Sequence, residues 1–298
     1  MYKGNIMTVL ARDKEIAKHI SEKFGKLHED GKVRIFYRRN GDYIRSILTS
    51  AEYPDKILEL AEIVSLSSKH FVYVGENLSW VEGELALLAT ASGSNVFVVT
   101  NRPESDIRKV FKGTSLESAP VIPEPVDDET VMADEGVAYI DKAFVVKGVG
   151  VVVTGFSRME IKVHDKLVLL PSMKETEVKS IQVLDEDQES VGPGIRIGLA
   201  LRNVKEDEVK ESYLMVKPAV KAEKEFSGKG VIFPWSQSMD GQFHFVSYGV
   251  SVTGSLTKDG DMMKITLNQP MPKPKRFIIL NVNAKQGKPR VVGYMIPD

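Results

Sequence analysis

Along the first 125 residues the apolar positions alternate between two periods. Asn5–Leu10 (NIMTVL) reads as a buried strand. Lys14–Phe24 places Ile16, Ile20 and Phe24 at a spacing of four, one face of a helix, and Gly25 supplies its stop. Lys26–Gly31 then serves only as a connection. Lys32–Tyr37 (KVRIFY) and Asp42–Leu48 predict strands, and Pro54–Leu66 predicts a helix opened by proline. Phe71–Val74 is a short strand, Val81–Thr90 a helix, and Asn95–Thr100 (NVFVVT) a buried strand. Helices of this length between apolar strands predict an α/β layer on a parallel sheet.

Pro120–Val131 (PVIPEPVDDETV) breaks the pattern, because each proline restricts its own backbone and that of the preceding residue. An extended linker is expected there. Beyond it the helical period nearly vanishes. Val137–Val146, Gly150–Phe156, Lys166–Leu170, Glu177–Val183, Arg196–Leu201 and Tyr213–Val216 predict short strands at the spacing of a small barrel. After Pro218 a second set follows at Gly230–Phe233, Phe243–Gly249, Met263–Leu267, Arg276–Val282 and Arg290–Met295. The expected fold class is multidomain: an α/β domain at 1–125, a β-barrel at 126–218 and a second β-barrel at 219–298.

A length of 298 residues alone suggests about two domains, so the texture raises that estimate to three. A net charge of −1, with 27% charged and 42% hydrophobic residues, excludes a disordered or collagen-like chain. No apolar run reaches the length of about 18 residues that a membrane helix needs. The N-terminus lacks a signal-peptide pattern, so a cytoplasmic protein without a membrane partner is expected. Cysteine is absent, which removes disulfides, thiol nucleophiles and Cys-ligated metals together.

The near-zero mean charge conceals a gradient. Residues 1–125 are neutral, 126–218 carry net −6 and 219–298 carry net +5. Pro270–Arg290 holds Lys273, Lys275, Arg276, Lys285, Lys288 and Arg290 with no acid. Such a stretch raises the local potential for phosphates, and prolines 270, 272 and 274 keep its start extended. It equally suits a strand edge guarded by lysines.

The order of domains and the segments FVVKGVGVVVTG (Phe144–Gly155), IKVHDKL (Ile161–Leu167) and LMVKP (Leu214–Pro218) together resemble the elongation factor Tu family of translational GTPases. Phe144–Gly155 (FVVKGVGVVVTG) is similar to that family's F-x-x-x-G-x-G-x-V-V-T-G hairpin, in which Gly148 and Gly150 permit a tight turn. Ile161–Leu167 (IKVHDKL), Gly194–Tyr213 and Leu214–Pro218 (LMVKP) continue the likeness in register over about 80 residues. Pro274–Asn281 and Val291–Met295 resemble the closing strands of the third domain, and the selenocysteine-specific factor looks nearer than elongation factor Tu itself.

The resemblance implies a guanine-nucleotide site, and there the sequence departs. A phosphate loop needs G-x-x-x-x-G-K-[ST]. After NIMTVL the chain offers Ala11, Arg12, Asp13, Lys14 and Glu15. The D-x-x-G-H positions fall on Thr49, Ser50, Ala51, Glu52 and Tyr53, which removes the Mg²⁺-linked carboxylate, the γ-phosphate-sensing glycine and the water-orienting histidine. The N-K-x-D positions fall on Asn101, Arg102, Pro103 and Glu104. At most Asn101 and Glu104 remain for base reading, and a strand-ending turn explains them equally. The expectation is a pseudo-GTPase without catalytic residues, metal or cofactor.

Other chemistries are poorly supported. His19, His28, His70, His164 and His244 lack zinc spacing, the acidic run Asp185–Glu189 reads as a solvated loop, and no G-x-S-x-G elbow is present. In the family, the second domain receives the 3′ end of aminoacyl-tRNA. The resemblance places Lys142, Phe144, Thr154 and Arg202 near that end, with Asp141 retained and the second acid replaced by Lys142. Together with the basic stretch these are the candidate RNA-contacting residues. The expected function is a non-enzymatic factor that binds ribosome or tRNA and blocks, stores or regulates ribosomes; no DNA partner is expected. An active nucleotide-binding factor that delivers a special aminoacyl-tRNA, and a protein-interaction scaffold that pairs as a homodimer, are the alternatives.

Overall fold

The computed structural model describes residues 1–236, 242–284 and 288–298. The N-terminal layer runs β1 (Lys3–Leu10), α1 (Lys14–Phe24), β2 (Lys26–Asp30), β3 (Val33–Asn40), β4 (Tyr43–Ser50), α2 (Leu58–Leu66), β5 (Lys69–Tyr73), α3 (Trp80–Ser92), β6 (Asn95–Val99), α4 (Glu104–Val110) and β7 (Val121–Ile122). Its sheet order is β2-β3-β4-β1-β5-β6-β7. β4, β1, β5, β6 and β7 are parallel, while β2 and β3 add an antiparallel hairpin at one edge. Side chains alternate across β1. Met7 and Val9 join Ile20 and Phe24 of α1 in one core, while Ile6 and Leu10 join Leu60, Leu85 and Leu88 of α2 and α3 in another. Both faces are covered, which is why the strands read as unbroken apolar runs.

Four departures from the sequence reading lie here, one of them β7, which extends the sheet from within the stretch expected to be a linker. Lys26–Asp30 is a strand, not a connection; as an exposed edge it carries no apolar alternation. Glu104–Val110 is a helix where a turn was expected, and it buries only Ile107, so it has no apolar stripe to detect. Finally, α2 begins at Leu58 instead of Pro54, because the Ser50 hydroxyl accepts from the backbone N–H groups of Glu52 (3.2 Å) and Tyr53 (3.2 Å) and holds that stretch in a turn.

The middle unit contains β8 (Val137–Val146), β9 (Gly150–Arg158), β10 (Ile161–Lys162), β11 (Lys166–Leu170), β12 (Lys174–Val183), β13 (Glu186–Gln188), β14 (Ser190–Val191), β15 (Ile195–Arg202), α5 (Glu206–Lys210) and β16 (Leu214–Val216). The sheet runs β11-β16-β8-β9-β15-β12-β13, and β11 also pairs with β12, which closes the ring. The last unit is a closed barrel in the order β17-β20-β19-β18-β21-β22. Its strands are β17 (Ala222–Ile232), β18 (Phe243–Ser247), β19 (Val250–Asp259), β20 (Met262–Pro272), β21 (Phe277–Leu280) and β22 (Val291–Pro297). β19 has no counterpart in the sequence reading, because its second half, SLTKD, faces solvent. Pro270 and Pro272 end β20 and do not begin a loop.

Desolvated cations fasten the three units to one another. Arg158 of β9 donates from Nη1 to the carbonyls of Ser65 (3.0 Å) and Leu66 (2.7 Å), the last turn of α2. Its Nη2 lies 2.6 Å from Glu135, and its guanidinium stacks over Tyr248 of the last barrel. Arg276 donates to the carbonyl of Thr90 in the last turn of α3 (3.0 Å) and covers the Tyr294 ring. Both cations therefore satisfy orphan carbonyls at the negative end of a helix. Gly93 caps α3 in the left-handed region at φ 69°, which favours glycine, and a Cβ there would stand 2.7 Å from the Arg276 guanidinium and make it shift. The linker is equally fixed. The Asp127 side chain is fully buried and accepts from Arg45 Nε (2.7 Å), Tyr43 Oη (3.0 Å) and Lys69 Nζ (3.2 Å).

Candidate functional site

The nucleotide position begins where β1 meets α1. Only Ala11, Arg12 and Asp13 join them. Asp13 caps the helix: its Oδ1 accepts from the N–H groups of Glu15 (2.8 Å) and Ile16 (3.1 Å). The donors that a phosphate loop turns toward phosphate are thus taken by the chain's own carboxylate. Arg12 points away, donating to the Asn77 carbonyl (3.0 Å), and the Lys14 carbonyl accepts from Arg34 (2.9 Å). At the next family position, Thr49 is buried and donates to the Val9 carbonyl (3.2 Å). Glu52 pairs with Lys56 (3.1 Å), and Tyr53 is buried with its hydroxyl on Glu84 (3.2 Å). Asn101 is exposed, and Glu104 starts α4 in an ion pair with Arg108. Pro103 sets the entry to that helix, so Glu104 is placed as a helix-start acid.

The barrel residues divide into two groups. Phe144 and Thr154 line one groove of about 730 Å³ between the middle barrel and the β2–β3 hairpin, together with His28, Tyr37 and Arg196. Phe144 is 39% exposed, while Thr154 Oγ1 is buried with no hydrogen-bond partner among the described residues. Lys142 stands on the other side of this seam, paired with Glu29 of β2. Arg196 closes the cluster by donating to Glu29 (2.7 Å) and Asp141 (2.9 Å). Burial opposes charge on Glu29, but the hydrogen bonds from Lys142 and Arg196 outweigh it and hold the carboxyl below its ordinary range. Asp141 moves up, chiefly through burial. The positive charge expected of Lys142 is therefore neutralised by β2, the strand missing from the sequence reading. Arg202 does not line the groove; it pairs with Glu177 across β12 (2.7 Å).

Among the described residues the basic stretch does not form one surface. Arg290 is drawn into the first domain, where it meets the fully buried Glu84 (2.6 Å) and donates to the carbonyls of Pro54 (2.8 Å) and Asp55 (3.2 Å). Arg276 is committed to α3, and Lys275 pairs with Glu135 (2.9 Å). Lys273 and Lys288 make no such contact among the described residues, and Lys285 lies outside those residues. The sequence reading missed Glu84, Glu135 and Arg158, which receive or supply these charges; only contacts distant in sequence identify them. The acidic run is also used, since Glu186 accepts from Tyr2 (2.5 Å) and Arg39 (2.9 Å). Among the described residues no group of histidines and carboxylates could hold a metal ion.

No family model matches the chain. An uncharacterized protein of Methanocaldococcus jannaschii is 23% identical over 268 residues, covering 84% of this chain and 86% of that protein. The selenocysteine-specific elongation factor of the same organism is 46% identical over 66 residues, 22% of this chain and 14% of that factor. Elongation factor 1-alpha of Metallosphaera sedula is 32% identical over 158 residues, 50% of this chain and 33% of the factor. The crystal structure of translation elongation factor SelB from Methanococcus maripaludis, in complex with a GTP analogue, superposes over 100% of this chain and 79% of its own, with a TM-score of 0.78 at 15% identity. Over these stretches the chain is similar in sequence to translational elongation factors, and it shares their fold. It has their α/β domain and following barrels, and its matches span less than half of each elongation factor compared by sequence here.

Proposed function

We propose that this chain is a translation-factor-shaped protein that binds ribosome or tRNA without hydrolysing GTP. The observation that carries the reading is Asp13. Its carboxylate holds the first N–H groups of α1, so a nucleotide phosphate would meet a negative charge at the position where translational GTPases present donors. Glu52 and Tyr53 at the second motif, and Glu104 bound to Arg108 at the third, support the same reading. Residues 1–125, 126–218 and 219–298 are the chain's three units, and regulation of ribosomes is its task. The groove holding Phe144 and Thr154 is its first RNA-facing candidate.

The test is calorimetric titration with GTP and GDP, run beside co-sedimentation with ribosomal subunits. Affinity weaker than about 0.1 mM, roughly 5.5 kcal/mol, is expected for both nucleotides. Sedimentation with a subunit should not change when GTP is added. Micromolar GDP binding, or GTP hydrolysis stimulated by ribosomes and abolished by Asn101→Ala, would establish the nucleotide-dependent alternative instead.

A further inference from the structure

The chain has two tryptophans, far apart in sequence, and both stand on one groove. Trp80 opens α3 and Trp235 follows β17, so the groove lies where the first domain meets the last barrel. Its volume is about 660 Å³. Trp80 is 43% exposed and Trp235 50%, and Val110 beside them is 49% exposed. Large apolar side chains left in water together mark a binding surface, whereas scattered ones do not.

Charge indicates what it binds. Lys112 and Lys288 also line the groove, and neither makes an ion pair or hydrogen bond among the described residues. The two carboxylates of the lining are already neutralised. Glu82 is buried against Ser79 and Arg12, and Glu84 against Arg290. Among the described residues the groove thus offers indole faces and free cations, with no free anion. A partner should present flat π-surfaces beside negative charge. An acidic peptide brings the charge but no regular series of flat rings; an unpaired nucleic-acid strand brings both at every residue. A duplex does not fit, because its base faces are stacked away.

We infer that this groove is a binding site for unpaired RNA, in which bases stack on Trp80 and Trp235 while Lys112 and Lys288 receive phosphates. The inference rests on the ribosome-or-tRNA reading but uses a surface separate from the Phe144 and Thr154 groove. Recognition would be tolerant of sequence, since stacking uses the face every base shares.

The two indoles are the chain's own reporters. The full chain is titrated with a short mixed-sequence single-stranded RNA, with the matching duplex, and with an acidic aromatic peptide, while tryptophan fluorescence is followed. Quenching by the single strand, weaker quenching by the duplex and a fall in affinity with salt are expected. Trp235→Ala should weaken single-strand binding at least fivefold. K112E/K288E, which leaves both indoles in place, should do the same and flatten the salt dependence. Quenching by the peptide but not by RNA overturns the inference in favour of a protein partner. Absence of quenching by any RNA also overturns it, and co-sedimentation of the same preparation with ribosomes shows whether the broader reading survives. If the unaltered chain neither binds RNA nor sediments, both fail.

Discussion

Replacing Arg290 with methionine tests how the last barrel is held to the first domain. Glu84 has no solvent exposure, and the Arg290 side chain is 12% exposed. The carboxylate accepts from Arg290 Nη2 (2.6 Å), Nε (3.1 Å) and backbone N–H (2.8 Å), and from the Tyr53 hydroxyl (3.2 Å). Arg290→Met removes the charge and four guanidinium hydrogen bonds, two to Glu84 and two to the carbonyls of Pro54 and Asp55, while keeping the volume and the two neutral donors to Glu84. Breaking a buried pair from one side costs about 3–5 kcal/mol, because the other charge stays behind. The two donors that remain place the expected loss near the lower end. Equilibrium urea denaturation, followed by tryptophan fluorescence, should show a midpoint lower by roughly 1 M with an unchanged slope. Adding Glu84→Gln should restore most of the loss, since a neutral amide is far cheaper to bury. A single-variant cost under about 1 kcal/mol, the value of an exposed pair, would refute the buried-seam interpretation.

Glu62 gives a pH-dependent prediction. Burial, and secondarily the Glu59 carboxylate, push it up to about 7. A carboxyl raised in the folded state stabilises most below its unfolded value, and that contribution is lost as pH rises through the folded value. Wild-type stability should therefore fall between about pH 4.5 and 7 by up to about 3 kcal/mol. Glu62→Gln should flatten this slope and be the more stable form at pH 8; parallel pH profiles would rule the mechanism out. Burial also drives His70 down to about 3. Its contribution is present above the unfolded value of about 6.5 and lost as pH falls, so His70→Asn should reduce sensitivity to mild acid in a melting series. Asp127→Ala should cost about 3 kcal/mol by leaving Lys69 and Arg45 short of a buried partner. Equal melting temperatures for variant and parent would contradict that. Gly93→Ala should lower stability and expose Arg276 to faster tryptic cleavage, because the added methyl displaces the guanidinium.

The strands of the sheet and barrels were legible where both faces, or one face, are apolar, as in NIMTVL, NVFVVT and the hairpin around Gly148 and Gly150. β2 and α4 were not, because KLHED and ESDIRKV bury almost nothing and carry no period. The loss of the nucleotide motifs could be read directly, since it concerns residues adjacent in the chain. The fate of Lys142, Arg276 and Arg290 could not. A cation's role depends on whether a carboxylate or carbonyl waits opposite it, and Glu29, Thr90 and Glu84 lie more than a hundred residues away. The same distance hid the meeting of Trp80 and Trp235.

The arginine-capped seams also fix how this molecule responds to heat. Arg158, Arg276 and Arg290 join the units through ions withdrawn from water and not through large apolar faces alone. Hydration of an ion becomes less favourable as temperature rises, so the cost of keeping these guanidinium groups dry shrinks on warming. An oily seam weakens on cooling for the opposite reason. Heat should therefore preserve the mutual placement of the three units until their cores fail together, and cold should be the condition that lets them part.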